Sequence, residues 1–195
     1  RGTVKDFPSF DATADAETLH KMKGLEYEAN LEDHITSDTS GYYQRMLVVL
    51  VQANRDPDGR IGDRCIEQDA QVLFKAGELK WGTDEEKFIT ILRTRSVSHL
   101  RKVFDKYMTL SGFQIEESID RETSVDLEKL LLAIVKCVRS VPAYFAETLF
   151  YAMKRAGTDD NTLIRVMVTR RETDLLDIRQ TFKKNFAKSL HHAIE

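Results

Sequence analysis

Proline, glycine and cysteine are scarce in this chain. Three prolines and nine glycines interrupt 195 residues, so few positions force the backbone out of regular structure. The two cysteines, Cys65 and Cys137, stand far apart and form no metal-type spacing. They imply neither a disulfide framework nor a zinc site, and are expected as two reduced, buried thiols. The longest apolar runs, "MLVVLV" and "LLLAIV", are too short to span a bilayer. The opening "RGTVKDFPSFDA" has no apolar centre and no small-residue cleavage site, so it does not read as a signal peptide. A formal net charge of −3 leaves no broad basic footprint for nucleic acid. There is no Gly-x-Ser-x-Gly elbow, no phosphate-binding glycine loop and no metalloprotease spacing among the five histidines, so no enzyme is expected.

What is present is a soluble-type composition, 42% apolar and 31% charged, on a chain long enough to bury a core. The apolar residues recur with helical period. Leu127, Leu130, Leu131, Ile134, Val135 and Val138 form one stripe. Val97, Leu100, Val103, Phe104 and Tyr107 form another, with Ser96 as its N-cap. Thr83 with Glu86 fits a capping box, and Thr158 with Asn161 a weaker version. These patterns predict an all-α protein with short loops.

The chain also repeats itself. "WGTDEEKFITILRTRSVSHLRKVF" from Trp81 aligns without gaps on "AGTDDNTLIRVMVTRRETDLLDIR" from Ala156, at an offset of 75. Gly82-Thr83-Asp84 falls on Gly157-Thr158-Asp159, and Thr94-Arg95 on Thr169-Arg170. A second echo, at an offset of 84, links "ITSDTSGYYQRMLVVL" from Ile35 to "IDRETSVDLEKLLLAI" from Ile119. Such self-similarity marks copies of one helical unit. One copy runs from about Gly62 to Val138. The last stops at Glu195, before any counterpart of Glu122, and the first is present only from about Leu25. "NRDPDGRIGD", from Asn54 to Asp63, reads as a turn-rich linker between copies.

The loops carry the chemistry. "GELKWGTDEE", from Gly77 to Glu86, holds the chain's one tryptophan in a polar setting. A glycine-bearing loop of this kind turns backbone carbonyls outward. A hard cation such as calcium takes six to eight oxygens, preferably with a bidentate carboxylate. Glu122, in the loop "DRETS" 40 residues beyond Gly82, supplies one if three helices bring the two loops side by side. On these residues alone, Glu122 could equally cap the helix starting near Ser124, and Trp81 could pack against a neighbouring helix.

"KWGTDEE…ETS", "MKRAGTDD" and "SDTSGYY" together resemble the annexin repeat, and the resemblance covers essentially the whole chain. It implies annexin-type units of five helices, one complete and two partial. Residues 1–24 would be an N-terminal tail and remnant of a first repeat, and 25–60 a partial second repeat and linker. Residues 61–138 would be the complete repeat, and 139–195 a partial final one. Each unit of this family carries a calcium site formed by its first and last interhelical loops. The resemblance therefore implies Ca2+ as cofactor, held by the carbonyls of Gly77, Lys80 and Gly82 and the carboxylate of Glu122. The Thr83 carbonyl with Glu85 matches a weaker secondary site. In the last unit Met153, Arg155 and Gly157 take the carbonyl positions, with Arg155 in place of the usual glycine and no acid, so that site is expected to be weak. In the first unit Asp38 matches the acid without its partner loop; only Met22-Lys23-Gly24 remains of one. Val125 stands where Gly41 has the family's glycine, which would strain the second loop if that position needs positive φ.

The implied function is calcium-dependent binding to an anionic phospholipid membrane such as a phosphatidylserine surface, with Trp81 inserting among the headgroups. Shielding of that surface from clotting factors and phospholipases, self-association on the membrane, and a cytoplasmic, reversibly membrane-peripheral or extracellular setting follow from the same resemblance. Two rivals stand beside it. Asn54, Asp56, Asp58 and Gly59 fit the start of an EF-hand loop, but its twelfth position would be Cys65. Alternatively, the chain is a truncated annexin product with impaired membrane binding. Its last unit would then expose the stripe Leu175, Ile178, Phe182, Phe186, Leu190 and Ile194. His99 is expected as a solvent-facing helix residue.

Overall fold

Residues 31–53, 55–59, 62–78, 85–120, 125–154 and 157–194 are described in a computed structural model. Among them the regular structure is entirely α-helical. The helices are α1 (Leu31–Asp38), α2 (Gly41–Gln52), α3 (Asp63–Glu78), α4 (Glu85–Thr94), α5 (Val97–Ser111) and α6 (Ile115–Asp120). They continue with α7 (Val125–Arg139), α8 (Val141–Lys154), α9 (Asp160–Arg170), α10 (Leu175–Phe186) and α11 (Leu190–Ile194). The chain divides into two compact units, Arg1–Ala53 and Asn54–Glu195.

In the first unit α1 and α2 form an antiparallel pair with Met46 fully buried. The turn between them is braced by Gln44, whose Nε2 donates to the carbonyls of Thr36 (2.9 Å) and Thr39 (2.6 Å). Gly41 opens α2 at φ +65.

In the second unit the sequence stripes become the core. On α3, Ile66, Asp69, Ala70, Leu73 and Ala76 share one buried face. They meet Leu100, Val103, Phe104 and Tyr107 of α5, whose first turn is capped by Ser96 Oγ accepting from His99 N. On α7, Leu127, Leu131, Ile134, Val135 and Val138 are buried, while Leu130 is half-buried. Arg139 at the end of α7 reaches back to α6, donating to Glu116 (2.5 Å) and Gln114 (2.6 Å). Lys136 pairs with Glu147 (2.9 Å) and so ties α7 to α8. Both α5 and α10 end on a left-handed residue, Gly112 (φ +77) and, 75 residues on, Ala187 (φ +57). The alanine carries a Cβ clash that the glycine avoids, at a cost of about 1 kcal/mol.

The linker is not loose. Asp56 N donates to the Thr94 carbonyl (2.7 Å), and Arg55 donates to that of Arg95 (2.6 Å). Asp58 accepts from both the backbone N (3.3 Å) and the hydroxyl (2.6 Å) of Ser98. These bonds hold its carboxyl below the usual carboxylate range. The EF-hand rival thus has one of its acids committed to clamping the corner between α4 and α5.

The expected exposure of the α10–α11 stripe is not found. Ile178, Phe182 and Leu190 are 0%, 1% and 3% exposed and cluster with Ala146 and Leu149 of α8. Leu175 and Phe186 are half-buried, and Ile194 alone of the six is open. Helix α8 covers this face, and each large side chain so buried contributes about 2 kcal/mol. The exposed apolar side chains of these helices are instead Tyr151, Ile164, Val168 and Leu176, together with Ile194.

Candidate functional site

The two loops singled out in the sequence are the α3–α4 and α6–α7 connections. Lys80, Trp81, Gly82, Thr83 and Glu122 lie outside the described residues, as does Met22-Lys23-Gly24. Gly77 falls in the last turn of α3, and Glu85 opens α4. Asp120 and Val125 bound the second loop as the last residue of α6 and the first of α7.

The described residues do fix where those loops begin. Phe74, near the end of α3, packs edge-on against Tyr107 of α5, with ring centroids 6.4 Å apart. Tyr107 is 2% exposed, and its hydroxyl donates to Ser118 Oγ at 2.7 Å. Ser118 lies two residues before the end of α6. Ile115 and Ile119, both fully buried, anchor the same short helix. The C-terminal turns of α3 and α6 are therefore tied to one stretch of α5, and the two loops start from the same end of the unit.

The corresponding first loop of the last unit is partly described. Met153 is half-buried near the end of α8, Arg155 lies outside the described residues, and Gly157 is exposed at φ +98. Asp159 N donates to the Ala152 carbonyl (2.9 Å), closing the loop onto the helix it leaves. The cap of α9 is Asp159, which accepts from Thr162 N (3.1 Å), rather than Thr158 with Asn161 as the sequence suggested. An ionised carboxylate at this position also favours the positive end of the helix dipole. In the first unit Asp38 closes α1 with its carboxylate exposed, accepting from the Ser37 hydroxyl (3.1 Å). It stands three residues before Gly41 and its positive φ.

Candidate donors in these loops are oxygens, backbone carbonyls and carboxylates, without sulfur or imidazole. That set suits a hard cation such as calcium. Among the described residues no three His, Cys, Asp or Glu side chains gather into a metal-holding group. A site built mostly from carbonyls does not require such a group.

A polar cluster that sequence reasoning missed lies inside the unit. His99 is 7% exposed, not solvent-facing, and its Nε2 lies 2.8 Å from Asp69 Oδ2. The same carboxylate accepts from Arg95 Nε (2.6 Å) and from its terminal nitrogen (3.2 Å). Hydrogen bonding to Asp69 raises Arg95 above its ordinary value. The signal was available, because Asp69 interrupts the apolar face Ile66–Ala70–Leu73 and a buried acid needs partners. Cys65 is exposed, against the expectation of two buried thiols; Cys137 is half-buried, its thiol pushed up by burial.

Among the described residues no helix is long and apolar enough to cross a membrane. The chain is 74% identical to annexin A5 of Gallus gallus over 93% of its own length and 57% of that protein's. It thus spans little more than half of this curated relative. A solved structure of chicken annexin V superposes with a TM-score of 0.83, at 74% identity, covering 93% of this chain and 57% of that one. A solved calcium-bound annexin (Sm)1 superposes with a TM-score of 0.74 at 28% identity, over 93% of this chain and 54% of that one. The family model described as Annexin matches residues 68–134 and 144–195, one stretch in each of the copies aligned by the sequence repeat. With its helical units and these matches, the chain belongs to the annexin family.

Proposed function

We propose that this protein binds anionic phospholipid membranes in a calcium-dependent way, through the loops at the common end of α3 and α6. Family membership supports the reading, and so does a relative solved in calcium-bound form. The observation that carries it is the Phe74–Tyr107–Ser118 link, which starts both loops from one end of the unit. We assign the unit from 61 to 138 as the complete repeat, with partial repeats before and after it.

In this reading the carbonyls of Gly77, Lys80 and Gly82 and the carboxylate of Glu122 form the principal site. The Thr83 carbonyl with Glu85 forms a secondary one. Bound calcium supplies the positive charge that lets an acidic protein meet an acidic surface. Trp81 beside it offers an amphipathic ring to the interface, where its apolar face and N–H are both satisfied. The last unit, with Met153, Arg155 and Gly157 at the carbonyl positions and the Arg155 charge in place of a glycine, holds calcium less well. Asp38 lacks its first loop and contributes little. This is binding rather than catalysis. Dense coverage by self-associating molecules would shield the surface from clotting factors and phospholipases. The membrane face would be cytoplasmic or extracellular.

Co-sedimentation with phosphatidylserine vesicles tests the proposal. The wild type should pellet only when calcium is present. Glu122→Gln removes one ligand charge and should raise the calcium requirement about tenfold or more, since ligand charge sets calcium affinity over orders of magnitude. A wild type that stays in solution at every calcium level, or a variant with an unchanged requirement, would sink it.

A further inference from the structure

A half-open cavity of about 290 Å³ lies among α8, α10 and α11, lined by buried and half-buried phenylalanines and by exposed basic side chains. Phe150, Phe182 and Phe186 line the inside. Phe150 and Phe186 lie parallel, 4.0 Å apart with an interplanar angle of 3°, and Phe182 sits 5.0 Å from Phe186. Lys154, Lys188 and His192 line the opening. Lys154 also lies over the Phe150 ring at 5.3 Å.

The sister unit shows that the fold does not demand this composition. At the same positions, 75 residues earlier, stand Tyr107 for Phe182, Ser111 for Phe186 and Ser118 for Ala193. Glu117 stands for His192 and Phe113 for Lys188. That corner is closed by the Tyr107–Ser118 hydrogen bond (2.7 Å), and Glu117 accepts from Gln114 N. In the last unit the hydroxyls give way to apolar carbon, and the acid gives way to a base. One backbone carries opposite chemistry in its two copies.

We propose that this cavity binds a small aromatic anion, an aryl carboxylate or sulfonate. Its volume is near the lower end of small-molecule pockets and suits a guest of two or three aromatic rings. Phe150 is stacked on Phe186 and lies under Lys154, so Phe182 and Phe186 are the rings that meet a guest, and they favour an aromatic one over an aliphatic chain. Lys154 and Lys188 recognise the anionic end by charge-assisted hydrogen bonds, with the His192 imidazole beside them. Lys154 also complements the carbonyl end of α8, so the test must separate a ligand role from a capping role.

The test is equilibrium dialysis of the full chain against 8-anilinonaphthalene-1-sulfonate, with calcium chelated so that the membrane loops play no part. N-phenyl-1-naphthylamine serves as the uncharged comparison. A single saturable site is expected, with the anion held about tenfold or more tighter than the neutral ring. Lys154→Gln with Lys188→Gln should cost about tenfold in anion affinity, as loss of a charge-assisted hydrogen bond does, and leave the neutral ring unaffected. Ala193→Leu, which fills the cavity without altering charge, should block both. Equal affinity for the two dyes, indifference to the lysine changes, or non-saturating uptake of many dye molecules would overturn the proposal.

Discussion

Arg95 and Arg170 hold the same place in two copies of one unit and find their acids in different directions. Arg95 takes Asp69, 26 residues back on α3, and shares it with the buried His99. In the last unit the place of Asp69 is Phe145, because the buried Ala70, Leu73 and Ala76 of α3 match Ala146, Leu149 and Ala152 of α8, and the place of His99 is Asp174. Arg170 accordingly turns to Asp174, with two bonds of 2.8 Å, and stacks its guanidinium over Phe145 at 4.8 Å. In each case the hydrogen bond to the acid raises the arginine above its ordinary value. The frame needs an acid within reach of this arginine and is indifferent to which helix supplies it. What changes is the range of the tie. Asp69 joins α3 to the α4–α5 corner, whereas Asp174 closes a local turn before α10.

Breaking the long-range tie should have the largest effect. Asp69→Asn leaves Arg95 beside a group that no longer balances its charge, and His99 without its carboxylate partner. The loss should be about 3 kcal/mol, the low end for breaking a buried pair because Arg95 is partly exposed. A thermal melt reads it, and a shift no larger than that of a surface substitution would mean that solvent replaces the carboxylate. A sharper experiment exchanges the two wirings. Asp174→His alone should destabilise by about 1–2 kcal/mol through loss of both charge-assisted bonds. Adding Phe145→Asp puts an acid at the α3-type position on α8, where Arg170 already lies, and should restore much of that loss. No recovery in the double variant would show that the Phe145 ring contributes packing that the relocated charge does not replace.

How much of this was legible beforehand follows the same division between local pattern and long-range partnership. The helix faces of α5 and α7 could be read because their apolar period is local, and Ser96 could be read as a cap because its partner is three residues away. The repeat offset of 75 also gave the correspondence between the copies from Trp81 onward, whereas the buried faces of α3 and α8 match at an offset of 76. His99 was misread because its partner lies 30 residues away on another helix. The truncated reading expected the α10–α11 stripe to lie open for want of a final helix, and it left out the cover that α8 supplies. For the α9 cap, Thr158 and Asp159 are both good cap residues one position apart, and only the bond to Thr162 N decides between them. The candidate site was legible as two loops carrying carbonyl and carboxylate donors. Their common starting point depends on Tyr107 joining α3 to α6, a contact that no motif announces.

Tyr107→Phe probes that contact with the smallest perturbation. It deletes one hydroxyl, keeps the ring against Phe74, and installs the residue that Phe182 already provides in the last unit. Loss of the bond to Ser118 should cost about 1 kcal/mol, or roughly 2–4 °C in a chain of this size. The same energy limits any effect on the loops. A tether worth about 1 kcal/mol can change calcium affinity by no more than about fivefold, so the calcium needed for vesicle binding should rise by less than that. Melting and co-sedimentation of the one variant therefore divide two roles. If the melt falls while the calcium requirement stays put, Ile115 and Ile119 in the core hold α6 in place without the hydroxyl, and the bond serves stability alone. If both move together, the hydrogen bond that distinguishes this unit from the last is also what sets the spacing of its loops.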